Sequence, residues 1–211
     1  MHLTTRSALY ALLALVVSST NAQQTTKKTM PIGSSSMEPT FREADQIIIN
    51  LDAYASADPK RGDVVTYRSP ENGLYWTHRI IGIPGDRVSY SKDKRIAVNG
   101  ELAKLAPADV PGARQVDPTY SRYRETVSGQ SYLIQHQPNR PSFSPSAVKP
   151  FVHKDLCVYT QEDFACTVPE DHYFVMGDNR DASFDSRYFG FIARDAVGGR
   201  VEGADRLPQR K

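Results

Sequence analysis

Three segments of the chain combine residue types that could do chemistry. The first is a run of three serines, residues 34 to 36, followed by Met37 and by Pro39, whose ring fixes the backbone. A serine hydroxyl is a weak nucleophile that needs a neighbouring base, and serine clusters more often cap or lengthen loops. The run alone is therefore weak evidence for a nucleophile.

A histidine and an arginine stand together in the second segment. His78 and Arg79 precede an apolar run, residues 80–83, and the turn dipeptide Pro84-Gly85. Neighbouring side chains of a strand point to opposite faces, so His78 and Arg79 are predicted to face different sides of a sheet. An imidazole is suited to accept a proton near neutral pH, although a single histidine on a strand is more often a packing residue.

The third segment, residues 177–187 (GDNRDASFDSR), places three carboxylates and two guanidiniums within eleven residues. It follows the apolar stretch YFVM, which is typical of a strand. Arginine and carboxylate groups form bidentate pairs, so such a loop could lock its own conformation. A solvated loop and a calcium site are the alternatives, and calcium is disfavoured because both guanidiniums would be held against the ion.

The composition of the 211 residues is that of a soluble globular protein, with 39% hydrophobic and 24% charged side chains. The formal net charge of +2 gives no excess to hold a phosphate backbone, which argues against nucleic-acid binding. No apolar run reaches 18 residues and nothing repeats at a fixed period, so polytopic membrane proteins and solenoids are excluded.

Short runs rich in β-branched and aromatic residues alternate with turn dipeptides along the chain. The clearest runs are residues 47–50, 63–68, 75–83 and 87–90. Helix signals are weak, and only residues 51–56 and 193–196 show one. We therefore predict a mainly β fold built on antiparallel sheet.

The chain is predicted to divide into a core and an insert. Residues 30–103 and 169–205 form the β core, and the Pro-rich residues 104–168 form an inserted β-ribbon sub-domain. A polar linker covers residues 23–29, and a C-terminal tail covers residues 206–211.

Residues 1–22 show the three-part pattern of a secretory signal. A positive start at Met1 and Arg6 leads into the apolar residues 8–17, and small residues follow before Gln23. A helix over ten residues spans about 15 Å, roughly half of a hydrocarbon core. Cleavage of this segment and its retention as a single membrane anchor both stay open, and in either case the rest of the chain lies outside the cytoplasm.

Cys157 and Cys166 bracket eight residues and agree with that placement. A disulfide closing this loop in an oxidising compartment would stabilise the fold by about 2 to 3 kcal/mol, and two unrelated buried thiols are the alternative. A metal site is not expected, because no histidine or second cysteine pair stands nearby at ligand spacing.

Together these segments resemble the type I signal peptidases, over nearly all of the chain after Met30. The matching boxes stand in the family's order: SSMEPT (35–40), RGDVV (61–65), HRIIGIPGD (78–86), IAVNG (96–100) and GDNRDASFDSRYFG (177–190). Five boxes in register are far more specific than any one of them. The resemblance implies an antiparallel-sheet catalytic core of the signal-peptidase kind, carrying an inserted β-ribbon sub-domain.

The resemblance also implies the roles of the residues. Ser36 would be the nucleophile, and the Ser34 hydroxyl would share the oxyanion hole with the Ser36 backbone N–H. Bacterial members carry a lysine base where this chain has His78, whereas endoplasmic-reticulum and archaeal relatives carry histidine. An imidazole with a pKa of about 6.5 is already mostly neutral at pH 7, so it needs an orienting acceptor rather than burial.

An aspartate of the last box is the expected partner of the imidazole. We favour Asp185, with Asp178 second, and Asp181 is the remaining candidate. The other residues predicted to support the base and the loop are Ser183, Arg187 and Arg79.

The activity implied is that of a serine endopeptidase that removes signal peptides from exported preproteins through an acyl-enzyme, with no metal or organic cofactor. We expect activity to rise through pH 6 to 7. The resemblance further implies a monomer at the membrane surface, with its catalytic domain on the periplasmic face; cleavage of the leader would leave it soluble in the periplasm. Tyr75 and Trp76 could touch the bilayer, although packing inside their strand is the favoured interpretation.

Two other functions stay open at this point. The first is an exported pseudo-enzyme that lost catalysis with the lysine and only binds extended peptides by β-augmentation. The second is a specialised peptidase for a single exported substrate, such as a conjugative pilin.

Overall fold

The computed structural model describes residues 26–109 and 118–205. The predicted signal or anchor segment (1–22) and the C-terminal tail (206–211) lie outside these residues. Within the two described ranges, no helix is long and apolar enough to cross a membrane.

Strands dominate the described residues, so the predicted mainly β class is confirmed. The strands are β1 (Lys27–Pro31), β2 (Gln46–Asn50), β3 (Val64–Arg68), β4 (Tyr75–Gly82), β5 (Arg87–Tyr90), β6 (Ile96–Val98), β7 (Glu101–Leu102), β8 (Lys104–Pro107), β9 (Ser121–Val127), β10 (Gln130–His136), β11 (Cys157–Tyr159), β12 (Phe164–Thr167), β13 (His172–Met176), β14 (Ile192–Ala193) and β15 (Val197–Asp205). Short 3-10 turns cover Ser35–Met37, Pro145–Ala147, Lys154–Leu156 and Arg194–Ala196.

The helix predicted over 51–56 is wrong, because turns occupy that segment. One short helix, α1 (Ser186–Phe189), follows the last polar loop instead. Asp185 caps its N-terminus by accepting from the Arg187 backbone N–H. Gly190 ends it at φ 82, where a side chain would also collide with the Phe151 ring.

A seven-stranded antiparallel sheet carries the second segment of interest. Its strand order is β1-β2-β15-β3-β4-β13-β14. In the β3–β4 pair Val65 lies opposite His78. Side chains two residues apart share a face, so Tyr67 lies on the same side of the sheet as His78 and one pair further along.

Two smaller antiparallel sheets complete the fold. Strands β10-β9-β8 form one, entirely from the predicted insert. The other has the order β11-β12-β5-β6-β7 and joins strands of the predicted insert to strands of the predicted core. The division into core and insert stays a prediction.

The largest hydrophobic cluster packs side chains of the five-stranded sheet, such as Val88 and Phe164, against Phe174 of β13. A second cluster lies around Val65 and Tyr67. The predicted disulfide is present: Cys157 and Cys166 lie directly opposite each other on β11 and β12, with the sulfur atoms 2.05 Å apart.

Candidate active site

An open cavity of about 540 Å³ brings the three segments together. Its walls come from the end of β1 and the serine run, from the start of β4, and from residues 182 and 184. Tyr75 is 52% exposed and lines this cavity with Trp76, which is only partly buried. The expectation of packing is therefore wrong for Tyr75, because the strand begins at the cavity wall, whereas Trp76 does pack against the core, in contact with the Phe189 ring.

The serine run forms the 3-10 turn that presents Ser36 to this cavity. Ser34 stands at the N-cap, where its Oγ lies 3.4 Å from the Ser36 backbone nitrogen and accepts from it. The Ser34 hydroxyl donates to Ser36 Oγ over 3.0 Å. Ser36 is 9% exposed and Met37 is fully buried, so the turn is anchored by its apolar side chain. The two hydroxyls and one N–H are thereby held within a few ångströms of each other.

The C-terminal loop holds this turn from behind. The Asn179 backbone N–H donates to the Ser36 carbonyl over 2.9 Å, and Asn179 Nδ2 donates to the Ser35 carbonyl over 3.2 Å. At Gly177 a Cβ atom would lie 2.5 Å from the Ser36 carbonyl oxygen and 2.3 Å from Ser183 Oγ. Only glycine therefore allows the serine turn and the loop to meet here.

Asp178 and Arg79 pair with each other rather than with the imidazole. Arg79 donates to both carboxylate oxygens of Asp178, over 2.9 and 2.7 Å, and to the Gly62 carbonyl over 2.8 Å. The Thr40 hydroxyl also donates to Asp178. Asp178 thus ties the segment after the serine turn to β4, so the prediction of Asp178 as second candidate for the orienting acceptor is wrong.

His78 is buried at the back of the cavity with 3% of its surface exposed. Its Nδ1 lies 2.7 Å from Tyr67 Oη, and its Nε2 lies 3.3 Å from Ser183 Oγ. Burial lowers the pKa of His78 to about 4; the charge of Asp185 opposes this shift and that of Arg187 adds to it. The activity limb at pH 6 to 7 stays a prediction, and the direction of this pKa shift would move it to lower pH.

Asp185 reaches the imidazole only through a hydroxyl. Ser183 Oγ donates to Asp185 Oδ2 over 2.7 Å and stands between the carboxylate and His78. No hydrogen bond joins His78 to a carboxylate or to Ser36 in the part of the chain that the structure describes. The predicted direct Asp185–His78 contact is therefore corrected to an indirect one.

The Asp185 carboxylate is saturated with donors. The Gly177 N–H donates to it over 2.9 Å, and the Arg187 guanidinium donates over 2.8 and 2.9 Å. Burial alone would raise the pKa of Asp185, but the charge and hydrogen bonds of Arg187 lower it below its usual value. Asp185 is therefore an ionised, acceptor-only group at neutral pH.

The remaining charges of the loop are paired away from the cavity. Asp181 accepts from Lys94 Nζ over 2.7 Å, which removes it as a partner for the imidazole. Arg180 is fully buried against Glu125 of β9, and its carbonyl accepts from Arg187 over 2.6 Å. The loop is locked by arginine–carboxylate pairs, as its residue types predict.

The structure brings together Ser34, Ser36, His78, Ser183 and Asp185. Sequence reasoning missed the roles of Tyr67 and Asn179. Asn179 lies in a box that was singled out and could have been named from it. Tyr67 lies eleven residues before His78, and only the register of β3 on β4 identifies it.

The chain is similar to known proteins along most of its length. Residues 4–204 match the family model described as signal peptidase, peptidase S26. A signal peptidase I of Aquifex aeolicus (strain VF5) is 36% identical over 187 residues, covering 81% of this chain and 72% of that protein. One of Pseudomonas aeruginosa is 35% identical over 183 residues, covering 79% of this chain and 57% of that protein. The crystal structure of a signal peptidase I from Enterococcus faecalis V583 aligns with a TM-score of 0.38 at 29% identity, over 68% of this chain and 96% of that one.

Proposed function

Because the chain belongs to the signal peptidase family, peptidase S26, we propose that it is a serine endopeptidase that removes signal peptides from exported preproteins. The observation that carries the proposal is that Ser34, Ser36 and His78 line one cavity on which the C-terminal loop converges. Its substrates are extended peptides that enter this cavity outside the cytoplasm. Leu74 is 63% exposed and lies with Tyr75 on the cavity wall. These two side chains contact the membrane surface, and the protein acts there as a monomer.

Ser36 is the nucleophile of this reaction. Its Oγ attacks the peptide carbonyl carbon and gives its proton to His78. The carbonyl oxygen thereby becomes the oxyanion of a tetrahedral intermediate. At rest the Ser36 N–H donates to Ser34 Oγ over 3.4 Å, and in the reaction both groups donate to that oxyanion. At rest the Ser34 hydroxyl donates to Ser36 Oγ, so it turns to the substrate oxygen as charge develops there.

His78 is the general base, acting at Nε2. The tetrahedral intermediate collapses when the imidazolium returns its proton to the leaving amine, which departs and leaves Ser36 acylated. Water then gives a proton to His78 and attacks the acyl carbon, and Ser36 regains its proton from the imidazolium. At rest Ser36 is hydrogen-bonded to Ser34 and not to His78, so the nucleophile–base contact forms when substrate is bound.

The missing Ser36–His78 contact is also the observation that favours a second candidate. An exported peptide-binding pseudo-enzyme would keep the cavity and hold extended peptides without cutting them. That Ser34, Ser36 and His78 stay together at one cavity argues against this alternative, since a protein that only binds peptides has no need of all three.

The test uses the purified full chain in detergent with a fluorogenic preprotein peptide. Ser36→Ala and His78→Ala should each abolish cleavage and leave peptide binding in place. The matched control is Ser35→Ala, which removes the adjacent hydroxyl and should retain activity. Binding by the wild-type chain without turnover, or full cleavage by Ser36→Ala, would contradict the proposal.

A further inference from the structure

Four buried side chains form a hydrogen-bonded chain behind the cavity. Tyr67 Oη lies 2.7 Å from His78 Nδ1. On the other side of the ring, His78 Nε2 lies 3.3 Å from Ser183 Oγ, which lies 2.7 Å from Asp185 Oδ2. All four residues are buried, with at most 8% of their surface exposed, so bulk water does not compete for these contacts.

The carboxylate decides the direction of every bond in this chain. Asp185 is ionised against the buried Arg187 and only accepts, so the single hydroxyl proton of Ser183 belongs to Asp185. Ser183 therefore offers a lone pair to the ring, and the hydrogen between them sits on Nε2. The neutral ring then has a lone pair at Nδ1. Tyr67 donates to it, because burial raises the pKa of this phenol and keeps it protonated.

We infer that Tyr67 is the positioning residue of His78 and fixes the resting imidazole as the Nε2–H tautomer. The inference rests on the proposed function, in which His78 is the general base. A carboxylate beside Nδ1 could only accept, and it would select the opposite tautomer. A phenol both donates and accepts, so one hydroxyl can serve the ring in both of its protonation patterns.

The reacting state reverses the direction of the Tyr67 contact. To take the Ser36 proton, the neutral ring must carry its hydrogen on Nδ1 and leave Nε2 free. It reaches that form when a transient opening of the buried chain admits water, which gives one proton to Nδ1 and takes one from Nε2. After transfer from Ser36 the imidazolium carries a hydrogen on each nitrogen, and Tyr67 Oη is the acceptor that the structure places at Nδ1.

Nitrogen-15 NMR of the histidine-labelled full chain measures the resting tautomer without any substrate. Near pH 7 we expect a one-bond hydrogen coupling at His78 Nε2 and none at Nδ1. His78→Gln, which lacks the ring, assigns the signals. A hydrogen on Nδ1 in the resting wild-type protein would overturn the inference.

Tyr67→Phe removes only the hydroxyl. We expect kcat to fall about 10- to 100-fold with KM within twofold, because the imidazolium loses a hydrogen bond that substrate binding does not use. The His78 Nδ1 resonance should move at the same time. The control is Tyr90→Phe, which is equally buried and whose hydroxyl has no hydrogen-bond partner among the described residues. Full kcat in Tyr67→Phe, or an equal loss in both variants, would refute the positioning role.

The two measurements separate this inference from the proposed function. If the wild-type chain cleaves no preprotein, the proposed function fails, but the NMR measurement still decides the tautomer. If Tyr67→Phe does not fold, the wild-type resonances alone uphold or overturn the assignment.

Discussion

Burial sets the pH range in which the proposed base works. It lowers the pKa of His78 from 6.5 to about 4, against the opposing charge of Asp185. At pH 5 an imidazole with a pKa of 6.5 would be about 3% neutral, whereas one with a pKa of about 4 is about 90% neutral. Because only the neutral ring accepts the Ser36 proton, kcat/KM at pH 5 should stay within about twofold of its value at pH 7.

The assay is kcat/KM of the full chain between pH 4.5 and 9, with a peptide substrate that has no titrating group in this range. Fluorescence and circular dichroism at each pH distinguish protonation of His78 from unfolding of the protein. A half-maximal rate at pH 6 to 7 would show that His78 is solvated in the working enzyme and would refute the argument from burial. A limb near pH 8.5 would instead require a different base.

The same burial predicts how stability depends on pH. The folded protein binds a proton at His78 less readily than the unfolded chain does, so the unfolded chain gains protons as the pH falls below 6.5. The contribution of His78 to the free energy of unfolding is fully present above pH 6.5. It falls by up to about 3 kcal/mol as the pH falls toward 4. Denaturant unfolding at pH 7 and pH 4.5 measures it, and His78→Gln should show a smaller difference between the two.

Three substitutions test the surrounding geometry. Ser34→Ala removes one of the proposed oxyanion donors and should lower kcat by about 10² to 10³ without unfolding the protein, as steady-state kinetics would show. Gly177→Ala puts a methyl 2.3 Å from Ser183 Oγ, so thermal melting should show a loss of about 1 to 3 kcal/mol with loss of cleavage. Glu125→Gln leaves the buried Arg180 guanidinium without its counter-charge and should cost about 3 kcal/mol in denaturant unfolding; an unchanged midpoint would contradict a role for that pair.

Much of the fold was accessible from local patterns. Runs of β-branched and aromatic residues predicted the strands, and the order of five boxes predicted the family. The wrong prediction of a helix over 51–56 shows the limit of such patterns, since turns form there and only Tyr54 of the segment packs against a hydrophobic cluster. The prediction that Tyr75 packs inside its strand failed for another reason. Strand composition does not reveal that the end of a strand opens on a cavity.

The candidate site was predicted at the level of residues and not of contacts. Ser36 and His78 line one cavity and Asp185 lies behind the ring, beyond the Ser183 hydroxyl, but the partner of each depends on distances between segments far apart in sequence. Asp178 and Asp185 lie seven positions apart in one loop. The tertiary structure pairs Asp178 with Arg79 and Asp185 with Ser183. The register of β3 on β4 places Tyr67 beside the imidazole, and register belongs to the pairing of two strands rather than to either strand alone.

Desolvation lowers the pKa of His78, and the Asp185–Arg187 pair explains why the nearby carboxylate does not reverse that shift. A carboxylate two side chains away would favour an imidazolium, but Arg187 lies against the same carboxylate and its charge acts in the opposite sense on His78. Their fields partly cancel at the ring, so desolvation determines the direction of the pKa shift. The aspartate thus serves mainly to orient Ser183 and the loop, which leaves a neutral phenol as the group that must accept from the imidazolium. In this site, stabilisation of the transferred proton has to come from the bound substrate's developing negative charge as much as from the protein.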